Sequence, residues 1–83
     1  MKIRFSKRAG RALLRCNKRQ LVREKIDACA RNPDAMGSNV IRLQGREEFR
    51  LRVQDWRVVF QIIGDEMVIE DIAPRGSVYE VKK

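Results

Sequence analysis

Arginines hold the positions in this sequence from which chemistry could be done. In "FRLRVQDWRVVF", residues 49–60, apolar side chains fall on alternate positions, and Arg50, Arg52 and Arg57 fall between them. Such alternation is the pattern of a strand pair with one buried face. With Gln54 and Asp55 as a two-residue turn, Val53 lies opposite Trp56, Arg52 opposite Arg57, Leu51 opposite Val58, Arg50 opposite Val59 and Phe49 opposite Phe60. Phe49, Leu51, Val53, Trp56, Val58 and Phe60 then share the buried face, and the guanidiniums share the other. Like charges facing each other across a ladder destabilise it by up to about 1 kcal/mol. A bound anion reverses that cost. A guanidinium suits a phosphate because its planar fork matches two oxygens and stays charged at any physiological pH. The bland alternative is a face of hydrated side chains with no ligand.

The closing segment "APRGSVYEVKK" adds Arg75 and Tyr79 to the candidates. Pro74 and Gly76 around Arg75 read as a rigid turn that aims its side chain. Tyr79 offers a ring for base stacking and a hydroxyl for proton transfer, or is simply a packed aromatic. With no histidine in the chain, the two-histidine route to phosphodiester cleavage is closed. Cys16 and Cys29, without a CxxC or a histidine beside them, read as buried structural thiols rather than metal ligands.

The elements that must position these residues follow from the periodicity. "KIRF" alternates and meets Ser6, a good N-cap, which predicts a first strand leading into a helix from Lys7 to Arg15. Asn17 is placed to cap a second helix, with Gln20 three residues on. Val22, Ile26, Cys29 and Ala30 recur at helical spacing until Asn32-Pro33 stops the run. The outward face of this helical hairpin is basic, a solvated surface or a contact for nucleic acid. "DAMGSNVIRLQG" reads as a connection. Strands at about Glu48–Val53, Trp56–Ile63 and Glu66–Ile72 follow, joined by Gln54-Asp55 and Gly64-Asp65. A strict register through the second turn sets Glu70 beside Val59, close enough to neutralise part of the basic face. The expected fold is α+β: a two-helix hairpin packed on one face of a small, mostly antiparallel four-stranded sheet, in the order β-α-α-β-β-β, as a single domain over residues 1–83.

Composition narrows the partners. A chain of 83 residues buries only about 60% of its unfolded surface, so its core is thin. The net charge of +8 makes polyanions the leading ligands. Charge is also uneven, with 11 lysines and arginines against Glu24 and Asp27 in residues 1–32. No apolar run approaches the roughly 20 residues that span a bilayer, and the N-terminus lacks a secretory pattern, so a cytoplasmic protein with no membrane partner is expected.

In order and spacing, R-L-R-V at 50–53, W-R-V-V-F at 56–60 and P-R-G-x-V-Y at 74–79 resemble the second half of the RelE/ParE superfamily of bacterial toxins from type II toxin-antitoxin systems. The preceding strand and paired helices fit the same fold, so the resemblance spans nearly the whole chain. In the RelE branch it implies an endoribonuclease that cuts mRNA, commonly on the ribosome, without metal or other cofactor, by attack of the ribose 2′-hydroxyl on the neighbouring phosphate. It assigns RNA binding to Arg50 and Arg52 and catalysis to Arg57, Arg75 and Tyr79. Guanidiniums set in advance around a phosphate stabilise the charge that accumulates in the transition state. The general base stays open: some relatives carry lysine where this chain has Arg50 and Arg52, and an arginine cannot exchange the proton. Tyr79 is the best candidate, and Glu80 and Glu47 are poorer ones. Gln54 stands where the family usually has glycine. The ParE branch shares the scaffold and implies inhibition of DNA gyrase instead; a third reading is a non-enzymatic RNA-binding module. Either branch implies a cognate antitoxin covering the basic face or the hairpin, with operator DNA bound only through that complex.

Overall fold

The computed structural model describes residues 1–32, 40–42 and 48–74. Strand β1 (Lys2–Phe5) leads into helices α1 (Lys7–Arg15) and α2 (Arg19–Arg31), and strands β2 (Val40–Arg42), β3 (Glu48–Val53), β4 (Trp56–Ile63) and β5 (Glu66–Pro74) follow. They form one five-stranded sheet in the order β1-β5-β4-β3-β2. β1 runs parallel to β5, and the other pairs are antiparallel. The α+β hairpin-on-sheet fold is as expected, with one strand more than the four predicted. That strand, β2, lies within the segment read as a connection. Three residues are too few to show a period, yet Val40 packs against the core and Ile41 stays 46% exposed, a single step of strand alternation.

Helix α1 starts where the sequence places it. The Ser6 hydroxyl accepts from the Ala9 amide at 3.0 Å, which satisfies one of the helix's unpaired donors. The same hydroxyl donates to the Glu70 carbonyl at 2.8 Å, and the Ser6 amide donates to the Ile69 carbonyl at 2.9 Å, so the cap also fastens β1 and α1 to β5. Helix α2 begins later than expected: its N-cap is Lys18, whose side chain makes no capping bond, rather than Asn17. The Cys16 thiol takes up the Lys18 amide at 3.4 Å, and the turn between the helices closes through it.

Ala9, Val22, Ile26 and Cys29 from the helices meet Leu51, Val58, Phe60, Met67 and Ile69 from the sheet, all of them buried. Phe49 and Phe60 stack across β3 and β4, with centroids 5.4 Å apart. Both cysteines are buried free thiols, and burial raises the Cys29 thiol above its ordinary pKa.

The β3–β4 register is the one the alternation dictates, from Val53↔Trp56 to Phe49↔Phe60. The β4–β5 register differs from expectation. A bulge shifts the pairing between Phe60↔Ile69 and Val59↔Asp71, so Glu70 is the extra residue and Asp71, not Glu70, lies beside Val59. The core requires this. Strict alternation from Met67 and Ile69 would bring Asp71 inward and turn Ile72 out, whereas the bulge buries Ile72 at 2% exposure.

Candidate nucleic-acid interface

Arg50, Arg52 and Arg57 share the sheet face that does not pack on the helices, and at the hairpin tip Arg52 and Arg57 also line a cleft shared with α2. Arg52 is paired directly with Arg57, and Arg50 lies between Ile41 on β2 and Val59 on β4. Their environments differ. Arg52 is exposed and makes no hydrogen bond or ion pair among the described residues. Arg50 is half-buried, with its Nε shielded from solvent. Arg57 is only 6% exposed.

The β3–β4 turn fixes Arg57. Its Nη1 donates to the Gln54 carbonyl at 2.8 Å and to the Trp56 carbonyl at 2.9 Å. Carbonyl oxygens oriented toward a guanidinium offset part of its charge, so the turn itself eases the repulsion between Arg57 and Arg52. Gln54 presents its carbonyl from a left-handed backbone, φ 53°. Beside the arginines, Val59 is 8% exposed and packs on Ala73, a small apolar floor for the charged side chains to lie over.

Glu66 lies 3.7 Å from Arg4, Asp71 lies 3.7 Å from Arg8, and Glu70 accepts a hydrogen bond from the Gln61 amide nitrogen. At the hairpin tip a cleft of about 600 Å³ opens between the sheet and α2. Arg52, Gln54, Asp55 and Arg57 line one wall, and Leu21 and Lys25 line the other. Sequence reasoning passed over those two helix residues, although they flank the buried stripe of Val22 and Ile26 at helical spacing. Arg75 and Tyr79 lie outside the described residues, as do Glu47 and Glu80. Among the described residues, no group of three or more His, Cys, Asp or Glu is placed to hold a metal ion. No helix among them is long and apolar enough to cross a membrane.

This architecture is that of the RelE toxins. The isolated Escherichia coli RelE toxin superposes with a TM-score of 0.74 at 18% identity, over 98% of this chain and 93% of that one. RelE of the archaeal RelE-RelB complex from Pyrococcus horikoshii gives 0.73 at 24%, over 92% and 96%. The intact Escherichia coli RelBE toxin-antitoxin complex gives 0.70 at 16%, over 88% and 94%. At these identities the likeness establishes the fold. No curated protein sequence matches the chain. The family described as ParE toxin of type II toxin-antitoxin system, parDE, matches residues 3–79, and the chain belongs to it, a toxin of the RelE/ParE superfamily.

Proposed function

We propose that this toxin is an endoribonuclease that cleaves mRNA, on the ribosome, in the cytoplasm, and that a cognate antitoxin restrains it. One observation carries the reading: an exposed Arg52, without a hydrogen bond or ion pair among the described residues, faces Arg57 across the ladder and lines a cleft of about 600 Å³. Like charges facing each other across a ladder destabilise it, and a phosphodiester removes that cost.

In the proposed reaction the ribose 2′-oxygen attacks the adjacent phosphorus. The bond from phosphorus to the 5′-oxygen of the next nucleotide breaks, leaving a 2′,3′-cyclic phosphate and a 5′-hydroxyl. Arg50 and Arg52 hold the strand, while Arg57 and Arg75 stabilise the phosphorane. Tyr79, as its phenolate, takes the 2′-hydroxyl proton, and water gives a proton to the departing 5′-oxygen. Removing one guanidinium from the phosphorane costs about 2.7 to 4 kcal/mol of barrier, roughly 10² to 10³ in rate. The antitoxin, as an anionic or helical segment over Arg50, Arg52, Arg57 and Arg75, neutralises the same charges; in the Escherichia coli and Pyrococcus horikoshii complexes RelE is held with RelB.

The experiment is to induce the toxin in cells and map RNA ends. New 5′-hydroxyl ends inside coding regions are expected, and Arg57→Ala or Tyr79→Phe should abolish them. A second reading, inhibition of DNA gyrase, is favoured by the match to the ParE toxin family and by the turn carbonyls that already occupy Nη1 of Arg57. Intact transcripts together with a block of supercoiling by purified gyrase would establish it. RNA bound but left at full length would point to the non-enzymatic module.

A further inference from the structure

The cleft at the hairpin tip has a wall that the arginine ladder does not explain. Lys25, on α2, is exposed and lines it opposite Arg52. Nothing on its own helix accounts for the ammonium. Positions three and four residues away are Leu21, Val22, Ala28 and Cys29, none of them acidic, and Glu24 at the preceding position does not face it. Asp27 is engaged by Arg23 at 3.3 Å. Lys25 makes no hydrogen bond or ion pair among the described residues. Among the described residues the lining thus sets three cations, Lys25, Arg52 and Arg57, from two elements distant in the chain, against one carboxylate, Asp55.

We infer that Lys25 is a phosphate-positioning residue. With Arg52 on the opposite wall it grips a phosphate of the RNA strand next to the one under attack, so the RNA path runs off the sheet and onto α2. The inference rests on the proposed action on RNA. Leu21, half-buried beside Lys25, gives the strand an apolar surface at the same wall. A lysine suits this task because it binds phosphate as a flexible point charge, without the fixed fork needed at the reacting centre.

The test is the salt dependence of binding to a single-stranded RNA oligonucleotide whose 2′-hydroxyls are methylated, so that it cannot be cut. Each phosphate contact on a single strand contributes about 0.7 to the slope of log K against log salt. Lys25→Gln should therefore flatten the slope by about 0.7 and weaken binding roughly eightfold at about 0.05 M salt relative to about 1 M. Lys25→Arg should restore both. Lys7→Gln, which removes an exposed charge from α1, should leave the slope as in the unaltered toxin. A slope for Lys25→Gln equal to that of Lys7→Gln would overturn the assignment while leaving RNA as the substrate. Failure of the unaltered toxin to bind the oligonucleotide at all, with gyrase inhibited, would overturn the RNA reading and this inference with it.

Discussion

Two residues hold the hairpin turns open, and they differ in what their backbones tolerate. Gln54 and Gly64 each occupy the first position of a two-residue turn with positive φ, 53° and 63°. Glycine adopts that region freely, whereas a side chain there costs about 1 kcal/mol or more. Gln54 therefore stores local strain at the spot where its carbonyl receives Arg57. Gln54→Gly should raise stability by about 1 kcal/mol, or about 4–8 °C in melting temperature for a domain of this size, and keep the Arg57 bond because only a side chain is lost. Gly64→Ala should lower stability by a similar amount for backbone reasons alone, since a Cβ there meets no atom within 4 Å. Thermal melts of both variants check the pair, and equal shifts in the same direction would contradict it. At this scale the sequence was partly readable. That Arg52 faces Arg57 followed from alternation and turn length, but the burial of Arg57 did not, because an outward arginine is ordinarily hydrated and the carbonyls that hold it belong to backbone geometry, which residue types do not spell out.

Among the elements, β5 is the strand whose bulge departs from strict alternation, and that bulge sets which of its residues reach which face. The spacing that demands it was present in the chain: apolar residues at 67, 69 and 72 step by two and then by three, which strict alternation cannot bury together. Strands β3 and β4 were legible because six apolar positions and a short turn leave a single register that buries them all. β2 was not, being three residues long, and the start of α2 was not, because a cysteine thiol rather than Asn17 serves the turn. Ser6 links α1 to β5 at the bulge, since its hydroxyl caps α1 and meets the Glu70 carbonyl. Loss of an N-cap costs about 0.5 to 2 kcal/mol, and Ser6→Ala also leaves a part-buried carbonyl without its donor, so the upper half of that range is expected. Urea unfolding of Ser6→Ala measures it. A loss under about 0.5 kcal/mol would mean that water replaces the hydroxyl at both partners, and that β5 holds its bulge without the cap.

Across the whole molecule the governing quantity is charge. A net +8 sits on a body about 30 × 26 × 24 Å, so many of its cations lie within one Debye length, roughly 30 Å, of one another at about 0.01 M salt. Self-repulsion of this kind lowers the stability of the compact state. Opposing ion pairs such as Arg4–Glu66, Arg8–Asp71 and Arg23–Asp27 have arginines open to solvent, and such pairs contribute about 0 to 1 kcal/mol each. Repulsion should win. Added sodium chloride then screens more unfavourable than favourable interaction, and the melting temperature of the free toxin should rise by several degrees between about 0.02 and 0.5 M. Arg52→Gln should begin higher and rise less, because the charge it removes faces Arg57 directly. An acidic peptide or a short RNA should produce the same stabilisation at low salt and lose it at high salt. A melting temperature that falls as salt is added would show that exposed pairs outweigh the clustered cations, and the arginine face would then need no anion to hold it.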